Sequence, residues 1–269
     1  MQVIGLCRFS YPGEGGFQVA HASLEERIAY LYAPERLEER FRFLECFTLP
    51  SIRAQTDPDF TFLIVIGDGL PAEHRTRLAA LCADIPQVRI ESHPPGPHRP
   101  VMKEAINAFR EPGHGPCLQF RLDDDDAVAV DCVERLRRAA RQVAGLLNDH
   151  RHIAIDFSAG HIARPGPDVI EAAEIHQPFW TPGLAVMFRP GVDLSVMNFA
   201  HHRIARKMPA LTFPDKAMML RGHNDHNDSR QGPNTRSFDL APLDAAGESL
   251  FRSRYNIDAN HVRQVFGAG

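Results

Sequence analysis

Two patterns of apolar positions alternate along the first half of the chain. Short, almost continuous apolar runs have the length and composition of strands that are buried on both faces of a sheet. Between them lie segments with apolar residues at helical spacing. This alternation predicts an α/β fold, a mainly parallel sheet flanked by helices. The predicted strands are 3–9, 60–66, 88–91 and 117–122, and the predicted helices are 23–32, 34–48, 71–84 and 101–109.

The pattern is less regular in the second half. A long amphipathic helix is predicted over 130–148, and strands are predicted over 152–157 and 184–188. From His201 onward the chain is richer in polar residues. We find no internal repeat and no linker-like stretch, so the sequence predicts one domain over 1–269.

Four consecutive aspartates, Asp123–Asp126, directly follow the predicted strand 117–122. Two carboxylates about 4 Å apart repel by about 4 kcal/mol at an effective dielectric constant near 20. A solvated acidic turn would relieve this repulsion, and so would a divalent cation. The apolar residues on both sides of the run favour the cation, and aspartate oxygens suit Mg²⁺ or Mn²⁺. Ligands of open α/β sheets bind at the carboxyl ends of strands, so we expect a metal that holds a phosphorylated substrate there.

Composition excludes several other classes. The chain is 43% hydrophobic and 24% charged, with a formal net charge of −4 and no long Lys/Arg run, so nucleic-acid binding has little support. No apolar stretch is long enough for a transmembrane helix, and the first residues do not resemble a signal peptide. The five scattered cysteines are typical of buried free thiols in a reducing compartment. We therefore expect a cytoplasmic protein, of an oligomeric state that the sequence leaves open.

Three segments in the same order carry a resemblance to a known family. They are 49–60 (LPSIRAQTDPDF), 120–128 (FRLDDDDAV) and 221–229 (RGHNDHNDS). Together they resemble the bacterial putative rhamnosyltransferase family, whose members are GT-A type nucleotide-sugar glycosyltransferases. The resemblance implies a donor half over 1–130 and an acceptor half over 131–269.

The same resemblance implies a reaction. A metal-dependent enzyme of this type moves a sugar, here rhamnose by the family name, from a dTDP- or UDP-sugar to a glycan or lipid-linked glycan acceptor. Inversion at the anomeric carbon is the outcome that the family favours.

Site residues follow from the resemblance by position. Asp123 corresponds to the residue that faces the ribose or the metal shell, with Asp124 beside it, and Asp125 corresponds to the metal ligand that bridges the diphosphate. His223 is the best match to a late histidine that completes the metal or diphosphate site. The segment around it, to Gly232, is expected to fold over the diphosphate, with a polar surface loop as the alternative.

Three further residues are implied for the donor pocket. Asp68 follows the second strand, where an acidic residue contacts the nucleotide base. Lys103 and Asn107 lie four residues apart on the predicted helix 101–109, where a basic residue and an asparagine line the pocket.

The general base that an inverting transfer requires is not marked by a clear Glu-Asp pair. The candidates are Asp215, which we favour, then Asp156 and His202. Each has a structural alternative: a helix cap for Asp215, a turn cap for Asp156 and a surface position for His202. Trp180 is expected to stack on a sugar or to anchor the core.

Two other classes remain open. A sugar-phosphate nucleotidyltransferase would share the sheet, the nucleotide and the metal, but it would carry a Gly-rich loop that Arg8–Pro12 does not resemble. A non-catalytic, Ca²⁺-dependent carbohydrate-binding protein would be β-rich and exported.

Overall fold

The computed structural model describes residues 1–15, 21–111, 113, 115–223 and 238–268. Within them the strands form one curled sheet in the order β10-β7-β6-β8-β4-β1-β2-β3, and β9 pairs with β6 and β5. The strands are β1 (Gln2–Arg8), β2 (Thr61–Gly67), β3 (Val88–His93), β4 (Cys117–Arg121), β5 (Ala127–Val128), β6 (His152–Pro165), β7 (Ile170–His176), β8 (Leu184–Phe188), β9 (Ala210–Gly222) and β10 (Ala241–Pro242).

Helices cover the sheet and connect its strands. They are α1 (Leu24–Leu31), α2 (Pro34–Phe43), α3 (Leu49–Arg53), α4 (Ala72–Cys82), α5 (His98–Ala108), α6 (Cys132–Val143), α7 (Ala245–Tyr255) and α8 (Ala259–Gly267). A π-helical turn, Leu44–Thr48, joins α2 to α3, and short 3₁₀ turns occupy Ala144–Asn148, Thr181–Gly183, Val196–Asn198 and His201–Arg206.

The predicted fold class is confirmed. β4, β1, β2 and β3 are parallel neighbours, as the apolar runs indicated. Successive residues of a strand point to opposite faces, so Phe62 and Ile64 of β2 enter one core and Leu63 and Val65 enter the other. Helices therefore have an apolar face to cover on each side of the sheet.

The second half brings antiparallel pairing that the sequence did not indicate. β8 is antiparallel to both β4 and β6, and β6 extends eight residues beyond its predicted end at Phe157. β9 covers the segment in which Asp215 was considered as a helix cap, so that alternative is wrong. The apolar residues Met218–Leu220 are too few to distinguish strand from helix by periodicity.

The structure also describes the state of the cysteines and the character of the helices. All five cysteines are buried free thiols. No helix in the described ranges combines the length and apolar character needed to cross a bilayer.

Candidate active site

The carboxyl ends of three parallel strands lie side by side at one edge of the sheet. Arg8 ends β1 and pairs with Val65 of β2, while Leu6 of β1 pairs with Arg121 at the end of β4. Asp68 and Asp123 follow β2 and β4 at this edge. The structure thus places Asp68 at the same edge as the acidic run, and its contact with the nucleotide base stays a prediction.

The acidic run turns into the protein and meets a buried arginine. Arg40 of α2 donates a hydrogen bond to Oδ1 of Asp124 at 2.9 Å and lies 3.2 Å from Oδ2 of Asp125. Asp124, Asp125 and Arg40 are each at most 6% exposed. A buried charge is tolerated when it is paired, so Arg40 supplies part of the compensation that the sequence analysis assigned to a cation.

Asp126 ties the run to β9. Its Oδ1 accepts a hydrogen bond from the backbone N–H of Gly222 at 3.1 Å. A Cβ at position 222 would lie 2.1 Å from the Asp125 carbonyl oxygen, so only glycine allows this close approach. His223 follows Gly222 directly, so the backbone brings it next to the acidic run, and its part in a metal or diphosphate site stays a prediction.

Buried polar side chains from the 49–60 motif and its flank hold the chain after the run. Thr48 donates its hydroxyl to the carbonyl oxygen of Asp126 at 2.8 Å, and Gln55 bonds the backbone of both Ala129 and Val133. The motif at 49–60 therefore contributes to the site by fixing the backbone that follows the aspartates.

The four carboxyl groups do not ionise alike. Burial, only partly offset by Arg40, raises the pKa of Asp124 to about 7. Burial and the neighbouring Asp125 charge raise the pKa of Asp126 well above its ordinary value. Burial also disfavours the charge on Asp123, but the Arg121 and Arg8 guanidinium groups outweigh it and lower its pKa. Asp123 is thus the carboxylate that the arrangement keeps negative.

Arginines from three strands surround that carboxylate. Arg8, Arg121 and Arg221 all lower the pKa of Asp123 by their positive charge. Arg8 also donates from Nη1 to Nε2 of His98, the first residue of α5, at 3.3 Å. Sequence reasoning missed these arginines because each is a single residue at a strand end, and only the sheet order brings them together.

A turn between β7 and β8 borders the site from the acceptor half. Phe179 has a left-handed backbone with φ 60°, which is uncommon for a bulky residue. Its N–H donates to Oδ1 of Asp156 at 2.9 Å, and its carbonyl oxygen lies 2.7 Å from Nδ1 of His201. The Asp156 and His201 side chains thus bind the N–H and the carbonyl oxygen of Phe179, which belong to the two peptide groups on either side of its Cα.

The same turn contacts the arginines of the site. The guanidinium carbon of Arg221 lies 4.9 Å from the Trp180 ring centroid, a cation–π arrangement. Nη2 of Arg121 donates to the Thr181 hydroxyl at 3.0 Å. Trp180 is half-buried and next to the arginines that act on Asp123.

The structure places the other predicted donor residues elsewhere. Lys103 and Asn107 both bond Asp193, at 2.7 and 3.4 Å. Asp193 follows β8, whose last residue pairs with Cys117 at the amino end of β4. Helix α5 begins near the carboxyl ends of the parallel strands and runs back towards their amino ends. Lys103 and Asn107 lie between its middle and its end and are therefore at the edge of the sheet opposite the acidic run.

The three predicted bases lie in different parts of the structure. Asp215 lies in an irregular part of β9 and binds Arg135 of α6 through both carboxylate oxygens, at 3.0 and 2.8 Å. Asp156 is fully buried and engages Phe179, and His202 is exposed. Of the predicted lid, 223–232, only His223 lies within the described residues.

The described ranges contain no group of three His, Cys, Asp or Glu side chains arranged to hold a metal by themselves. Mg²⁺ needs only one or two protein carboxylates when phosphates and waters complete its shell. Asp123, partly exposed, and Asp125 fit that smaller requirement, and a carboxylate has enough lone pairs to serve a guanidinium and a cation together.

Acidic and basic side chains at the carboxyl edge of a parallel sheet define an α/β protein with a site for a charged ligand. A family model described as putative rhamnosyl transferase matches residues 2–236. The chain belongs to this family, and hence to the glycosyltransferases. No curated protein matches it.

Among solved structures, similarity is distant. S. aureus TarS 1–349 is 8% identical with a TM-score of 0.42, over 82% of this chain and 60% of that one. Its complex with UDP-GlcNAc is 11% identical with a TM-score of 0.45, over 99% and 70%. A UDP-glucose pyrophosphorylase complexed with UDP-glucose is 9% identical with a TM-score of 0.33, over 100% and 98%. The chain thus spans about 60–70% of the TarS fragment, and the assignment rests on the family match.

Proposed function

We propose that this protein transfers a sugar, rhamnose in the first instance, from a nucleoside-diphosphate sugar to a glycan acceptor. Family membership supports sugar transfer. The observation that carries the choice of donor is that Arg8 and Arg121 end neighbouring strands at the edge where Asp123 lies, and that Arg221 precedes Gly222, which bonds the same acidic run. A diphosphate is the sugar leaving group whose charge such a cluster would match.

The arginines and the aspartates have separate tasks in this proposal. Arg8 and Arg121 bind the diphosphate oxygens and stabilise the charge that grows on the leaving group as the glycosidic bond breaks. Arg40 holds Asp124 and Asp125 in place through its buried ion pairs with both carboxyl groups. Asp68, exposed at the end of β2, contacts the nucleotide base or ribose.

A divalent cation, Mn²⁺ or Mg²⁺, is part of the proposal. Asp123 and Asp125 would hold it together with His223, which follows the close contact of Gly222 with the run. When bound, such a cation neutralises the diphosphate and makes it a better leaving group. The arginines that keep Asp123, the partly exposed carboxylate of the run, ionised support this assignment.

Rhamnose and the acceptor rest on narrower support. Rhamnose comes from the family description, and dTDP is the nucleotide that usually carries an activated rhamnose, with UDP as the second choice. A glycan or lipid-linked glycan follows from the class of reaction. Trp180, at the border of the site beside Arg221, offers an aromatic face for the sugar.

A donor panel tests the proposal. Purified protein is incubated with dTDP-rhamnose, UDP-GlcNAc and UDP-glucose, with Mn²⁺, with Mg²⁺ or with EDTA, and released nucleoside diphosphate is measured. We expect release from one donor, dTDP-rhamnose, and a metal requirement. Release of nucleoside triphosphate on addition of pyrophosphate would indicate a nucleotidyltransferase instead. Turnover of no donor under any of these conditions would refute the proposal.

A further inference from the structure

His201 lies at the border of the site, at a small, mainly apolar pocket that Arg121 and Thr181 also line. It begins a 3₁₀ turn, His201–Arg206, after the extended residue Ala200. Its neighbour His202 was a candidate base from sequence, whereas His201 was not. The two rings differ sharply in environment, because His201 is half-buried and His202 is exposed.

The contact with Phe179 fixes the tautomer of His201. A backbone carbonyl oxygen can only accept a hydrogen bond, so Nδ1, at 2.7 Å from it, must carry the proton. Nε2 of the neutral ring then holds a lone pair. Within the described part of the chain Nε2 has no hydrogen-bond partner, which leaves it available to a ligand.

Charges around the ring keep it neutral. Burial lowers the pKa of His201, and the positive charges of Arg121 and Arg221 act in the same direction against the hydrogen bond to Phe179. His202 is the other titratable group that acts on the ring, and Asp156 lies on the far side of the Phe179 peptide. A histidine that is neutral at pH 7 and oriented through Nδ1 has the form of a general base.

We propose that His201 is the catalytic base of the transfer. Nε2 accepts the proton of the acceptor hydroxyl while that oxygen forms a bond to the anomeric carbon. The bond from the anomeric carbon to the diphosphate oxygen breaks, and its electron pair leaves with the nucleoside diphosphate. His201 ends the step as an imidazolium and returns its proton to solvent. This inference rests on the proposed function.

Its position relative to the donor supports this role. Arg121 influences both Asp123 and His201 and bonds Thr181 in the turn between them. Arg121, Thr181 and His201 line the same pocket, and Arg121 ends β4 two residues before Asp123. Asp156, by contrast, has no exposed surface through which to reach an acceptor.

The test is His201→Asn. The asparagine amide nitrogen replaces Nδ1 and can still donate to the Phe179 carbonyl oxygen. The hydrogen bond to Phe179 is thus retained, while the lone pair at the Nε2 position is lost. His202→Gln is the matched variant at the competing position. Hydrolysis of the donor that is active in the panel, with water as acceptor, gives kcat, and titration with the corresponding nucleoside diphosphate gives Kd.

We expect His201→Asn to lower kcat by on the order of 100-fold or more, with Kd changed less than twofold, and His202→Gln to retain kcat. The acidic limb of the wild-type kcat profile should be absent from His201→Asn. A wild-type protein that turns over no donor would refute the proposed function. Wild-type turnover that survives in His201→Asn, or that His202→Gln abolishes, would overturn this inference alone.

Discussion

The backbone N–H of Gly222 donates to the carboxylate of Asp126 across 96 positions of sequence, at 3.1 Å. This contact joins β9, in the acceptor half, to the acidic run of the donor half. Two of the segments that carry the family resemblance, 120–128 and 221–229, are therefore in direct contact.

Gly222→Ala is expected to disturb the acidic run. The new Cβ would lie 2.1 Å from the Asp125 carbonyl oxygen, so β9 and the run must move apart. We expect a loss of at least tenfold in nucleoside-diphosphate affinity, measured by calorimetric titration. Gly145→Ala is the control, since a Cβ there meets no atom within 4 Å. Equal affinities for both variants and wild type would contradict the close contact.

Arg40→Met is expected to destabilise the fold. It leaves Asp124 and Asp125 buried without their common partner, and breaking a buried pair in this way costs about 3–5 kcal/mol. Urea unfolding at pH 8, where the carboxyls are most strongly driven to ionise, measures the free energy of unfolding. Arg138→Met removes an exposed pair with Glu134 and should change it by less than about 1 kcal/mol. A similar small effect for Arg40→Met would contradict the pairing.

Asp156→Asn tests whether Asp156 positions Phe179 or acts as a base. The amide oxygen of asparagine can still accept the Phe179 N–H, so donor turnover should remain within a few-fold of wild type. A positioning role predicts this retention, whereas a base would lose turnover on the order of 100-fold or more. The kcat of the two proteins at saturating donor decides between them.

The same substitution carries a pH dependence. Burial raises the pKa of Asp156 from 3.8 to about 6, so the folded protein binds this proton more tightly than the unfolded chain. The stability that comes from the protonated carboxyl is present below about pH 4 and is lost as the pH rises through about 6. Relative to wild type, Asp156→Asn should therefore gain about 2 kcal/mol in free energy of unfolding between pH 4 and pH 7. A pH-independent difference in urea unfolding would show that the group is not perturbed.

Asp215→Asn should retain turnover. Its carboxylate is bound by Arg135, which lowers the pKa of Asp215 and makes it a weak proton acceptor. The pair is half exposed, so its loss should also cost little stability. A fall in kcat of on the order of 100-fold with unchanged nucleotide affinity would instead make Asp215 the base and displace His201.

The acidic run was readable from sequence because its evidence is local. Four aspartates follow an apolar strand within ten residues. The alternation of strands and helices then predicts that they lie at the carboxyl edge of a parallel sheet. Asp68 came from the resemblance to the family, and the pairing of β1 with β2 and β4 places it at the same edge. Buried parallel strands have nearly continuous apolar runs, so the strands β4, β1, β2 and β3 could be predicted from sequence as well.

The remainder of the site depends on contacts between distant segments. Arg40 is 84 positions from Asp124, and nothing local distinguishes it from the other arginines of α2. Lys103 and Asn107 were placed on the correct helix, but their depth along the sheet depends on where that helix begins. His201 gained its role from Phe179, whose left-handed backbone no periodicity could indicate.

The most direct test of a nucleoside-diphosphate sugar site at the acidic run is calorimetric titration of dTDP and UDP, each with Mn²⁺, into wild type, Asp125→Ala and Asp193→Ala. Asp193 is an exposed carboxylate at the opposite edge of the sheet and serves as the control. We expect wild type and Asp193→Ala to bind one of the nucleotides with the same Kd, and Asp125→Ala to show no binding. Wild-type affinity in Asp125→Ala would contradict the site.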